Sequence, residues 1–183
     1  MFSATNIPTL ETKRLILRAF EAKDTEAYAE MVADEEVSQF ISLGGKPMNR
    51  IEAWRSMAMQ LGHWQLRGFG QWAVEEKASG DFVGRLGLYY PESWPGQELG
   101  YALARPHWGK GYATEGAAAA RDFAFDELGW DELISIISPI NARSQAVAER
   151  LGETFREIWQ LEDMVLHIYA LTRTNWGKLD RES

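Results

Sequence analysis

The chain of 183 residues has no cysteine. That excludes a disulfide framework, a thiolate nucleophile and cysteine-ligated zinc. Histidine is scarce. His63, His107 and His167 show neither H-E-x-x-H nor any other metal-ligand spacing, so no metal site is expected. Positive charge is outnumbered, with 19 Lys+Arg against 27 Asp+Glu and a net charge of −8. Nucleic-acid backbone binding needs clustered Lys and Arg, so this balance argues against it. A cationic partner such as an amine suits the field better. No apolar run approaches the ~20 residues that span a bilayer. Met1 to Leu10 lacks a basic region and an apolar region, so no signal peptide and no membrane contact are expected. The simplest compartment is the cytoplasm.

What is present reads as one globular domain over residues 8–178, with short tails at 1–7 and 179–183. Eight Trp stand out. They require large aromatic surfaces in the core, a pocket or an interface.

Lys13 to Phe20 reads as a first strand. Asp24 can cap a helix to about Ala33. Leu43 to Pro47 is a loop by its breakers. Asn49 opens a second helix whose apolar stripe is Ile51, Trp54, Met57 or Ala58, and Leu61. Strands follow at Gln71–Glu75, Phe82–Tyr90 and Gln97–Leu103, an antiparallel meander. A helix then runs from Trp108–Thr114 to about Leu128. Leu133 to Ile137 is an almost wholly apolar strand, as expected deep in a sheet. Asn141 to Leu151 is a helix stopped by Gly152, and strands fit Thr154–Leu161 and Met164–Thr172. The fold class is α/β. The segment from Gln97 to Ile137 should form a right-handed parallel crossover.

Gly109-Lys110-Gly111 lies between a predicted strand and a predicted helix. Glycine there lets the backbone approach a ligand, and the first helical amides have no intrahelical partners. With the helix dipole these amides suit a phosphate or pyrophosphate. A plain strand-to-helix turn is the competing reading. A Walker A loop lacks its continuation here. A Rossmann fingerprint would need a third small residue where Thr114 stands. Its acid should end the second strand, whereas Asp131 precedes its own.

The third candidate is a coenzyme A pyrophosphate turn. Trp108-Gly109-Lys110-Gly111-Tyr112-Ala113 resembles the [QR]-x-x-G-x-[GA] signature of the GNAT superfamily of N-acetyltransferases, with Trp108 in place of Gln or Arg. Glu98-Leu99-Gly100-Tyr101-Ala102-Leu103 resembles that family's central strand. Trp108 to Glu115, and Asn141-Ala142-Arg143-Ser144 ending in Leu151-Gly152, resemble its RimJ/RimL branch. The likeness spans about residues 12 to 176.

The resemblance implies a mixed, mostly antiparallel sheet of about seven strands with helices on both faces. It implies acetyl-CoA as donor. Trp108, Gly109, Lys110, Gly111, Tyr112, Ala113 and Thr114 would form the pyrophosphate turn, with Glu115 pointing away. The pantetheine arm would lie beside Tyr101 and Leu103, where the strand from Leu133 splays away and a bulge is expected near Leu103. The Leu103 amide would polarise the thioester carbonyl. Asn141 would bond the arm or simply cap its helix. Ser144 would meet the leaving sulfur, because the position of the family's usual Tyr is Ala148. Glu98 is the best-placed general base, with a strand-end surface acid as its plain alternative. Trp54, His63, Trp64, Tyr90 and Trp94 could wall an acceptor pocket or serve packing, with His63 a conceivable proton relay.

The implied reaction is acetyl transfer to a primary amine, with a peptide or protein N-terminus favoured. The alternatives are a small amine or polyamine as acceptor, a non-catalytic CoA sensor, and an NAD-dependent oxidoreductase. A monomer or homodimer is expected.

Overall fold

A computed structural model describes residues 6–179. The eight strands are β1 (Leu10–Glu11), β2 (Leu15–Arg18), β3 (Gln71–Glu76), β4 (Phe82–Tyr89), β5 (Glu98–Leu103), β6 (Glu132–Ile137), β7 (Thr154–Leu161) and β8 (Met164–Thr172). They form one sheet in the order β1-β2-β3-β4-β5-β6-β8-β7. Neighbours are antiparallel except β5 and β6, which the crossover joins in parallel. The helices are α1 (Thr25–Ala33), α2 (Glu35–Ile41), α3 (Arg50–Arg67), α4 (Tyr112–Asp126), α5 (Ala142–Arg150) and α6 (Arg173–Leu179). The strand count exceeds the expected seven by the two-residue β1. The expected tails fall largely outside the described residues, while Ile7 and Leu179 pack on the core.

Period-two alternation divides the sheet into two faces. Trp72, Val74, Leu86, Leu88, Leu99 and Leu103 share one face with Ala117, Ala120 and Ala124 of α4. Small residues let α4 sit close. A Cβ at Gly116 would stand 2.4 Å from Leu86 Cδ2. Ala73 and Ala102 share the other face with Tyr28, Met31 and Val32 of α1 and Ala53 and Met57 of α3. Glu98 alternates onto this second face, four residues before Ala102.

Three expectations are corrected. Of the stripe Ile51, Trp54, Met57 or Ala58, and Leu61, Met57 is buried while Ile51, Trp54 and Leu61 are exposed, and α3 also buries Ala53, Gln60, His63 and Trp64. Two lines of α3 carry apolar residues, and the buried one includes polar side chains. His63 and Trp64 of that line hydrogen-bond the backbone. Asp24 does not cap α1 with its side chain. It pairs with Arg18 through both guanidinium ends at 2.8 Å. Helices α2 and α6 were not expected. The first starts where the Asp34 side chain accepts the Glu36 amide, and the second is held by Trp176 stacking on Phe125. Asn49 does cap α3, in a reciprocal capping box with Glu52.

Candidate active site

The direction of the β5 backbone follows from one hydrogen bond. Ala104 donates to Val83 over 2.9 Å. Antiparallel hydrogen-bonded pairs recur every second residue. Ala102, Gly100 and Glu98 therefore point their backbone groups at β4. Leu99, Tyr101 and Leu103 point theirs at β6. Only Glu98 pairs with β6, opposite Ile134. Beyond that pair the strands part, so the Tyr101 and Leu103 amides face an open gap. The β4–β5 register runs without a shift from Tyr89↔Glu98 to Gly84↔Leu103. The bulge expected near Leu103 is therefore not the device that opens the gap. A Cβ at Gly84 would lie 2.3 Å from the Ala102 carbonyl, so β4 lies tight against β5 and the divergence belongs to β6.

The turn at the end of β5 has the conformation its glycines allow. Gly109 and Gly111 take φ of 74° and 80°. The first α4 bond is from the Glu115 amide to the Gly111 carbonyl, 3.0 Å. The amides of Tyr112, Ala113 and Thr114 precede it and are available to an anion. Glu115 does point away. Its carboxylate takes the Arg14 Nε and Thr12 Oγ1 donors, both at 2.6 Å. Arg14 Nη1 also donates to the Lys110 carbonyl at 2.9 Å, and its guanidinium lies 4.5 Å over Tyr112. Lys110 Nζ stands 5.9 Å from the same ring. Trp108 donates from Nε1 to the Leu103 carbonyl at 2.7 Å, and Arg143 covers its ring at 4.7 Å. One indole thus ties the turn, the strand end and α5 together.

Across the gap, Asn141 caps α5 by accepting the Ser144 amide at 3.2 Å. The Tyr101 hydroxyl donates to the Ser144 carbonyl at 2.9 Å, which fixes the first turn of α5 against β5. Ala148 is fully buried and packs with Ile137 and Tyr169.

Glu98 accepts the Trp94 indole N–H at 2.6 Å and the Ile136 backbone N–H. Burial pushes its carboxyl up to about 7, while those two donors and the charge of Arg85 pull the other way. A carboxyl with that pKa exchanges a proton near neutrality.

Comparison with known proteins agrees with this architecture. The family model described as "Acetyltransferase (GNAT) domain" matches residues 14–154. The chain belongs to the GNAT acetyltransferase family. A Bacillus subtilis relative, the uncharacterized protein YkkB, is 33% identical over 78% of this chain and 83% of its own length. The FsC-acetyl coenzyme A-N(2)-transacetylase of Aspergillus fumigatus is 31% identical over 96% and 81%. The crystal structure of an acetyltransferase from Agrobacterium tumefaciens superposes with a TM-score of 0.81 at 34% identity, covering 93% of this chain and 96% of that one. RimL, the ribosomal L7/L12 alpha-N-protein acetyltransferase in complex with coenzyme A, shares the fold (TM-score 0.76, 16% identity, 90% and 98% covered).

This GNAT enzyme is an acetyl-CoA-dependent N-acetyltransferase. The residues present fit the donor. Positive-φ glycines and free helical amides suit a pyrophosphate, and the gap beside Tyr101 and Leu103 suits an extended arm. The structure brings Trp108 to Thr114, Tyr101, Leu103, Asn141 and Ser144 around this one gap. Glu98 lies at its closed end, on the opposite face of the sheet from Leu103.

The supposed pocket walls separate. Trp64 is core and donates to the Gln71 carbonyl. Trp54 is exposed on α3. Trp94 touches Glu98 and packs against Tyr89 and Trp159. His63 is no relay. Its Nε2 accepts the Tyr90 amide at 3.0 Å, so Nδ1 carries the proton and meets the Phe69 carbonyl at 2.8 Å. Burial lowers its pKa and keeps it neutral. Sequence reasoning missed Arg14, Ser135 and Glu153. A serine inside an apolar strand and an acid just after the Leu151-Gly152 stop were the available signals. Among the described residues no helix is long and apolar enough to cross a membrane.

Proposed function

We propose that the enzyme acetylates the α-amine of a peptide or protein N-terminus by direct transfer within a ternary complex. The observation that carries this is the Glu98 carboxyl at the closed end of the gap, which accepts from Trp94 at 2.6 Å and which burial pushes up to about 7. An α-amine has a pKa of ~7.7–8.0 and a lysine or polyamine amine ~10.4. Proton transfer to Glu98 is uphill by about 1 kcal/mol from the first and about 5 kcal/mol from the second, at ~1.36 kcal/mol per pH unit. The site thus matches an α-amine. The relatives' names carry different acceptors, FsC in one and ribosomal protein L7/L12 in another, so the acceptor is argued from this chemistry.

The donor supplies an activated thioester. Gly109, Gly111, Tyr112, Ala113 and Thr114 hold its pyrophosphate with backbone N–H groups, and Lys110 adds a charge. Tyr101 and Leu103 align the arm with the backbone groups that face the gap. The Leu103 N–H donates to the carbonyl oxygen as it gains charge. Glu98 takes the amine proton through water. Asn141 offers its side-chain amide N–H to the arm, since its Oδ1 is engaged by the helix. The Ser144 hydroxyl donates to the departing sulfur. A thiol of pKa ~8.5 is already a fair leaving group, so this last contribution is small.

Thiol release measured at pH 7 with free-N-terminus peptides, acetyl-blocked lysine peptides and polyamines tests the reading. Free-N-terminus peptides should be the fastest. Faster turnover of lysine side chains or polyamines would overturn it.

A further inference from the structure

The ladder between β5 and β6 has one residue pair, with Ile134 N–H donating to the Gln97 carbonyl at 2.9 Å. In a parallel ladder the donors recur every second residue. The next rung would join Ile136 N–H to the Leu99 carbonyl. Both groups are engaged by side chains. Ile136 N–H donates to the Glu98 carboxylate. Ser135 Oγ lies 2.9 Å from the Leu99 carbonyl oxygen. The strands separate just past this point.

Ser135 Oγ also lies 3.1 Å from Glu153 Oε1. A serine hydroxyl has one proton, and a carbonyl can only accept. If that proton goes to Leu99, the contact with Glu153 requires a proton on Glu153. An ionised Glu153 would compete for the single hydroxyl proton and leave the Leu99 carbonyl uncapped. Ser135 is 1% and Glu153 2% exposed. Glu153 Oε2 is buried without a hydrogen-bond partner. That is costly for a carboxylate and far less so for an acid.

We propose that Glu153 is a neutral carboxylic acid that donates to Ser135, so that Ser135 caps the Leu99 carbonyl and fixes the mouth of the gap that receives the pantetheine arm. Glu153 is a positioning residue, since it acts through Ser135. The electrostatic surroundings agree. Burial pushes its carboxyl up to about 8. The groups that face it are Ser135 on β6, Glu98 and Tyr101 on β5 and Arg121 on α4. Glu98, once ionised, raises it further, and Arg121 lowers it.

The inference rests on the arm lying in the gap, and the test separates the two. Calorimetry gives the Kd of acetyl-CoA, without acceptor, from pH 6.5 to 9.5 for the wild type, Glu153→Gln and Ser135→Ala. The wild-type Kd should be about tenfold weaker at pH 9 than at pH 7, as one-proton linkage to a group near 8 requires. Glu153→Gln keeps a donor that does not titrate. It should bind within about threefold of wild type at pH 7 and lose the alkaline rise. Ser135→Ala should bind about tenfold more weakly at pH 7. A wild-type rise retained in Glu153→Gln overturns the proposal, as does wild-type affinity in Ser135→Ala. If Ser135→Ala does not fold, the pH response of Glu153→Gln decides alone. Hydrogen exchange at the Tyr101 and Leu103 amides under saturating acetyl-CoA tests the arm's position. Unprotected amides would refute the gap as its site. Protected amides with an unchanged Glu153→Gln profile would refute only the role of Glu153.

Discussion

Glu98 does two jobs with one carboxylate. It accepts from Trp94 and Ile136, and in the proposed reaction it takes the proton of the acceptor amine. Both bonds favour the ionised form, while burial favours the acid. The rate should therefore rise with pH through about 7 as Glu98 becomes the free base. Glu98→Gln should lower kcat by about 100-fold, the low end for a general base working through water, and remove that inflection. Thiol release followed from pH 5.5 to 9 checks both, and an inflection surviving in Glu98→Gln would rule out the base role. Trp94→Phe removes a donor to the ionised carboxylate. The inflection should move to higher pH in that variant, with the acetyl-CoA KM little changed because Trp94 contacts Glu98, Tyr89 and Trp159, which the proposed donor site does not use.

At the scale of elements, the proposed pyrophosphate turn depends on a residue about 100 positions upstream. Arg14 bonds Glu115 and the Lys110 carbonyl and covers Tyr112. It cancels the acid that stands in the first turn of α4, the helix proposed to hold the pyrophosphate. Arg14→Met should raise the acetyl-CoA KM about tenfold and leave kcat nearly unchanged, because the half-buried Glu115 charge beside the proposed phosphate site then goes unbalanced. Arg14→Met/Glu115→Gln should recover most of that loss, and steady-state kinetics on the double-mutant cycle reads it directly. The difference between Arg14 and the glycines is also a difference in legibility. Gly109 and Gly111 announce their role through strand-turn-helix order, which is local. Asn49 and Glu52 announce a helix start three residues apart. Arg14, Ser135 and Glu153 act through partners 18 to 101 residues away, and no spacing rule reaches them. The buried face of α3 is illegible in the sequence for a related reason. Ile51, Trp54 and Leu61 form a good apolar line, but the sheet decides which line of the helix it covers. The face chosen has His63 clamped between two backbone groups, and only the folded chain supplies those.

For the molecule as a whole, the −8 charge says less than where the carboxyls sit. Arg18 joins β2 to β3 and to the turn before α1 through Asp24 and Glu75, each at 2.8 Å. Burial opposes ionisation of Asp24, but the bonds from Arg18 and from the Glu21 amide outweigh it and hold the carboxyl low. The Arg18 bond does the same for Glu75. Depressed carboxyls stabilise the fold above their ordinary range near ~4, and that contribution is lost as pH falls through their lowered values. Glu98 and Glu153 are raised instead. The folded state binds more protons than the unfolded chain between the ordinary carboxylate range and about 8, so their contribution declines as pH rises through that window. The two sets oppose each other, and stability should peak on the mildly acidic side of neutrality. Arg18→Met tests the acid limb. It leaves Asp24, 2% exposed, without its counter-charge. The loss should be about 3–5 kcal/mol at pH 7, the usual cost of breaking a buried pair from one side. The loss should shrink toward pH 3, where Asp24 can take a proton in the variant. Urea unfolding at pH 3, 5 and 7 measures it. An equal loss at all three values would show that Arg18 contributes packing and not charge.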